Sequence, residues 1–153
     1  MKYKLILPVL LLAVAILNTA CALRTTEVPA EPSPIVQSDP TEGQARLMIE
    51  LQNVGVSVEL GAPIEQPFFT VQGKILNVNG ADVQIFEYAS REALEIDASQ
   101  VSADGGSVGT SMVSWMATPH FFNSGPMLVL YVGDDAEVLA ALHSVLGEQF
   151  AGG

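Results

Sequence analysis

The chain is poor in cysteine and in positive charge. Cys21 is the one thiol in 153 residues, which excludes an internal disulfide, a cysteine-rich zinc site and an iron–sulfur cluster. Six Lys and Arg stand against 17 Asp and Glu, a formal net charge of -11. Binding a nucleic-acid backbone takes enough basic side chains to replace condensed counterions, so this balance excludes a nucleic-acid partner. Catalytic signatures are missing as well. There is no G-x-S-x-G elbow and no H-E-x-x-H pair. The glycine-rich stretch from Ala103 to Gly109 carries no Lys and reads into a strand, whereas a phosphate loop opens a helix. Asp134 and Asp135 lack the spacing of a calcium loop. His120 and His143 are the only imidazoles available for acid–base work. The sequence therefore reads as a protein that is not an enzyme and needs no cofactor, and its length allows one domain at most.

An export signal opens the chain. Lys2 and Lys4 precede an apolar run from Leu5 to Leu17, followed by Asn18, Thr19 and Ala20. The run is shorter than the roughly 20 residues a spanning helix needs. An apolar stretch ending in Thr19-Ala20-Cys21 resembles the lipobox of bacterial lipoproteins, with Leu17 one place earlier than usual. The resemblance implies that the Cys21 thiol receives a diacylglyceryl group and becomes the N-terminus. Acyl chains buried at about 0.8 kcal/mol per methylene would then hold the protein stably on a membrane. Ala20-Cys21-Ala22 also fits an ordinary A-x-A cleavage site, which would release a secreted, unanchored domain. Residues 22–40 hold Pro29, Pro32, Pro34 and Pro40 among Ser, Thr and Glu and show no apolar period. This composition predicts a disordered tether spanning on the order of 25 Å. All 17 acids but only Arg24, Arg46, Lys74 and Arg91 follow the signal, so an exported product is nearer -13.

Residues 41–153 read as a single α+β domain. A helix begins at Asp39 or Thr41: Asp39-Pro40-Thr41-Glu42 gives a cap, a first-turn proline and a Glu three residues on, and Thr41 with Gln44 offers a second box; Leu47, Met48, Leu51 and Val54 lie on one face and Gly55 ends it. Val56 to Leu60 alternates as a strand, and Gly61 to Pro67 reads as a loop. Phe68–Val78 and Asp82–Tyr88 are extended runs joined by Asn79-Gly80, the dipeptide best suited to a type I′ hairpin. Ser90 caps a second helix to about Gln100, with Ala93, Leu94, Ile96, Ala98 and Val101 as its apolar face. Ser111–Ala117 and Pro126–Val132 form a second extended pair turning at Asn123-Ser124-Gly125. Asp134 caps a last helix striped by Val138, Leu139, Leu142, Val145 and Leu146. The order α-β-β-β-α-β-β-α predicts a two-layer sandwich, an antiparallel sheet of about five strands with helices on one face.

Gln66-Pro67-Phe68-Phe69, Val78-Asn79-Gly80, Val83-Gln84-Ile85-Phe86-Glu87-Tyr88, Asp104-Gly105-Gly106 and Leu130-Tyr131-Val132-Gly133 together resemble small exported bacterial lipoproteins of uncharacterised function. The resemblance implies a bacterial cell-envelope protein and carries over no catalytic residue. It places the chain on the cell membrane or outer membrane, with its domain outside the cytoplasm.

Two groups of side chains stand out as candidate sites. Phe68, Phe69, Trp115, Phe121 and Phe122 predict a ligand or partner surface, because adjacent strand residues point to opposite faces and one of each pair is left to leave the core. Met112, Met116 and His120 recur every four residues, and thioether with imidazole suits Cu(I). A regular strand would spread that trio over roughly 26 Å, so copper needs a sharp bend. The expectation is a lipid-anchored, non-catalytic envelope protein whose domain binds another envelope protein or a small apolar ligand, with an envelope copper-binding protein as the alternative.

Overall fold

The structure is a computed structural model and describes residues 39–153. The expected signal, the Cys21 lipidation site and the tether up to residue 38 lie outside the described residues. None of the helices among the described residues is long and apolar enough to cross a membrane.

Helix α1 (Glu42–Asn53) starts at the expected box: Thr41 Oγ1 accepts from the Gln44 amide and Thr41 N–H donates to Gln44 Oε1, each at 3.2 Å. Strand β1 (Val58–Ile64) runs further than its alternation suggests, with an irregularity between Leu60 and Pro63. Strands β2 (Gly73–Val78) and β3 (Ala81–Glu87) form the expected hairpin, whose Asn79 and Gly80 take φ of 49° and 88°. Phe68 to Val71 precede β2 as turn and bend. Helix α2 (Arg91–Ala98) is capped by Ser90. Strands β4 (Ser107–Val108) and β5 (Ser111–Met112) make a separate two-stranded ribbon. Strands β6 (Pro119–Ser124) and β7 (Met127–Val132), helix α3 (Ala136–Leu146) and strand β8 (Ala151–Gly152) complete the chain.

The protein is α+β, with an antiparallel sheet of six strands in the order β1-β2-β3-β7-β6-β8. The sixth strand is the C-terminal Ala151–Gly152, too short to show a period. Leu47 and Leu51 of α1 and Val138 and Leu142 of α3 pack on one face with Leu76, Val83, Ile85 and Val129. The opposite face is covered too, by Leu94 of α2 together with Phe69, Phe86, Phe121, Leu128 and Leu130.

Coverage on both faces explains which segment pairs with β7. That partner is Pro119–Ser124, turning at Gly125, rather than the Ser111–Ala117 run. A strand buried on both sides needs a continuous apolar run, not alternation. Pro119 to Phe122 comes nearest, all four residues buried and only His120 polar, with its Nδ1 joined to Gln149, whereas Ser111 and Ser114 interrupt the earlier segment. The cap of α3 is Asp135, not Asp134. Its Oδ1 accepts from Glu137 N–H and Val138 N–H at 2.9 and 3.1 Å, and its own N–H donates to the Tyr131 hydroxyl.

Candidate functional site

Asp97 is the least expected side chain in the domain. It sits in the last turn of α2 and is 0% exposed, whereas Ile96 beside it is 66% exposed. The helix is therefore rotated from its expected apolar face, with an acid in the buried stripe between Leu94 and Val101 and isoleucine outside. A carboxylate there is opposed by the partial negative charge of the helix C-terminus and by desolvation. Three donors converge on its Oδ2 in compensation: Thr70 N–H at 2.8 Å, Thr70 Oγ1 at 2.9 Å and the Tyr88 hydroxyl at 2.9 Å. Burial, then the hydrogen bond and negative charge of Asp97, hold the Tyr88 hydroxyl far above its ordinary range. Asp97 Oδ1 is buried and has no hydrogen-bond partner among the described residues.

Asp97, itself fully buried, is among the residues around a cleft of about 290 Å³ lined also by Pro67–Thr70, by Gln100 and by Val108 to Ser111. Gly109 shapes one wall. Its φ is 58°, its N–H donates to the Gln100 carbonyl at 2.8 Å, and a Cβ there would meet Gln100 Oε1 at 2.8 Å. The turn between β4 and β5 is thus held to the segment after α2 by a backbone hydrogen bond, at a positive φ that favours glycine.

Four of the five aromatic residues named from the sequence gather beside this cleft. Phe68 meets Phe69 edge-on at 4.9 Å and Trp115 at 6.0 Å, and Trp115 meets Phe121 at 6.0 Å. The Trp115 indole N–H donates to the Gly105 carbonyl at 2.7 Å. Phe68 and Trp115 are half-buried, Phe69 is buried and Phe121 is fully buried. Phe122 leaves the group: it is fully buried on the other face against His143 of α3. Of the named set, Phe68 and Trp115 reach solvent most, and Phe68 and Phe69 line the cleft.

The methionine–histidine trio is not brought together as a ligand set. Met112 and Met116 are 92% and 101% exposed. His120 is buried, stacks on Tyr131 at 6.1 Å, and is joined through Nδ1 to Gln149 Oε1 at 2.7 Å. Because Gln149 Nε2 donates to the Gly152 carbonyl, Oε1 is its acceptor and the imidazole proton sits on Nδ1. His143 Nδ1 lies 3.1 Å from the Gly147 carbonyl. Neither histidine is hydrogen-bonded to a carboxylate or a hydroxyl among the described residues.

A second cleft of about 340 Å³ lies between α1 and the β6–β7 turn, lined by Arg46, Glu50 and Glu87 among others. Its charged groups already have partners. Arg46 pairs with Glu50 at 2.9 Å, and Glu87 accepts from the Thr41 hydroxyl. In the glycine-rich loop, Asp104 accepts from Ser102 Oγ and from Gly106 N–H, and these two bonds hold its carboxyl below the usual range. A fixed negative charge in that loop does not suit a phosphate. Two buried side-chain atoms lack a hydrogen-bond partner among the described residues, Asp97 Oδ1 and His120 Nε2, and of the two clefts described the Asp97 cleft holds one of them beside Phe68 and Phe69.

Thr70, Tyr88, Asp97 and Gln100 were not singled out by sequence reasoning. The signal was present in the spacing, since Leu94, Asp97, Ala98 and Val101 follow the helical period and place one acid in an apolar stripe. Comparison with protein-family models, curated proteins and solved structures yields no match.

Proposed function

We propose that the chain is an exported lipoprotein, anchored to the cell-envelope membrane through Cys21, whose α+β domain is non-catalytic and binds a small, partly apolar ligand in the Asp97 cleft. The anchor rests on the charged start, the apolar run and the position of the sole cysteine. The ligand reading rests on one observation: the buried Oδ1 of Asp97 has no partner among the described residues, beside a cleft that Phe68 and Phe69 also line. Buried polar atoms without partners are rare and mark places where a donor is missing. A ligand that lays an apolar part on Phe68 and directs an amine or hydroxyl to Asp97 supplies that donor. A carboxylate ligand would place two negative charges together.

Two measurements test the reading. Intact mass of the protein from the membrane fraction is expected to show a chain beginning at acylated Cys21; an unacylated chain beginning at Leu23 removes the anchor. Titration with hexylamine, hexanol and hexanoate, followed by the fluorescence of Trp115 at its contact with Phe68, tests the cleft. Amine is expected to bind more tightly than alcohol and hexanoate not at all. Phe68→Ala weakens every ligand, and Asp97→Asn removes the preference for amine. Hexanoate binding as well as hexylamine, or no effect of Phe68→Ala, sinks the cleft assignment.

A further inference from the structure

Residues 112–118 present a surface that does not line the cleft. Exposure alternates along this segment: Met112, Ser114 and Met116 are exposed, while Val113, Trp115 and Ala117 are partly buried. The inner residues fix it to the domain. Val113 N–H donates to the Gly106 carbonyl at 3.0 Å, Ser107 pairs with Met112, and Trp115 is held by the Gly105 carbonyl and by the rings of Phe68 and Phe121. Two methionines thereby lie outward, 92% and 101% exposed. From Gly105 to Gly133 the sequence contains no Asp, Glu, Lys or Arg, in a chain with 17 acids. Covering this segment strands no charge.

We infer that Met112 and Met116 insert at the headgroup–acyl boundary of the membrane that carries the Cys21 anchor and so orient the domain on it. The inference rests on the anchored reading above. Size favours this occupant. A stable complex with a freely diffusing protein buries on the order of 1,000 Å² or more, far beyond two side chains. A domain tethered to its target acts at roughly millimolar effective concentration, where a small apolar contact suffices. Reach permits it. From Cys21 to Asp39 the chain can extend about 3.5 Å per residue, roughly 60 Å in all, against a radius of gyration near 13 Å for a domain of this size. Charge selects the face, because acidic surfaces are repelled by anionic headgroups and the uncharged segment is not. Methionine adapts its flexible, polarizable side chain to a disordered apolar environment.

The test uses two accidents of composition, one cysteine and one tryptophan. The full chain after the signal is coupled through Cys21 to a maleimide-headgroup lipid in phosphatidylcholine–phosphatidylglycerol vesicles, with or without brominated acyl chains. Coupling imposes the tether whether or not the native thiol is acylated. Trp115 emission is expected to be quenched by the brominated lipid, and the double variant Met112→Glu with Met116→Glu is expected to lose that quenching while staying on the vesicles. Because both methionines are exposed, the double variant is expected to keep the parent's thermal midpoint. Equal Trp115 emission on the two kinds of vesicle overturns the inference, and so does quenching that the double variant retains. Quenching here beside an unacylated native protein keeps the loop contact and removes the anchor, so the two claims fail separately.

Discussion

At the scale of single residues, Asp97 and Tyr88 form a coupled pair whose chemistry shows up in stability. The Tyr88 hydroxyl is 2.9 Å from Asp97 Oδ2, and burial followed by the neighbouring carboxylate raises its pKa from an ordinary 10.0. The neutral phenol is the form the fold retains. Below pH 10 both the folded and unfolded chains keep this proton, and Tyr88 adds no pH dependence. Above it the unfolded chain releases the proton while the folded chain holds it, so stability falls as pH rises, by up to about 1.4 kcal/mol per pH unit. Tyr88→Phe removes one hydrogen bond to a charged acceptor and starts about 2 kcal/mol less stable at neutral pH. It also lacks the alkaline slope. Urea unfolding at pH 8 and at pH 11 should therefore show the gap between parent and variant narrowing with pH, and a constant gap would refute the assignment of Tyr88 as the proton holder.

At the scale of elements, the caps decide where helices begin, and α3 offers a paired test. Asp135 supplies its carboxylate to two orphan amides, while Asp134 is exposed. Asp135→Ala is expected to cost about 1 kcal/mol, and Asp134→Ala to stay within about 0.5 kcal/mol of the parent. Equal losses would show that dipole charge, not capping geometry, is what matters there. The contrast also marks what was legible in the sequence. Elements fixed by short-range chemistry were read directly: the Thr41–Gln44 box, the Asn79-Gly80 hairpin, the Ser90 cap and the stripe of α3. Elements fixed by long-range burial were not. The strand at Pro119–Ser124 depends on a sheet covered on both faces, and β8 exists only because β6 offers an edge to Ala151 and Gly152. The site divided in the same way. Phe68 and Phe69 announced themselves by type, whereas Asp97 was one acid among 17 until the rotation of α2 showed which face it occupied. Ile96 and Asp97 are adjacent, and hydrophobicity alone would bury the isoleucine; the donors of Thr70 and Tyr88, distant in sequence, make the other choice stable.

At the scale of the whole domain, the sheet divides the interior into two cores that share strands but not side chains. Adjacent residues show it best: Phe121 and Phe122 are both fully buried, one in each core. A wall of hydrogen-bonded backbone is stiff, so a cavity opened on one side leaves packing on the other largely unchanged. Val78 lies in the core beneath α1 and α3, and Val108 in the core beneath α2. Val78→Ala and Val108→Ala each remove two methyl groups from a buried site and are expected to cost about 2 kcal/mol. Their double variant should be additive within about 0.5 kcal/mol. Val78 and Val83 make the control. They share one core, and since Leu76 pairs with Val83 and Val78 with Ala81, they are diagonal neighbours across the β2–β3 hairpin. Their double variant leaves two cavities close enough to relax together and should depart from additivity by more than that margin. Coupling across the sheet as strong as coupling within one core would mean that the cores respond as one, and that ligand entry beside Asp97 is felt under α1 and α3.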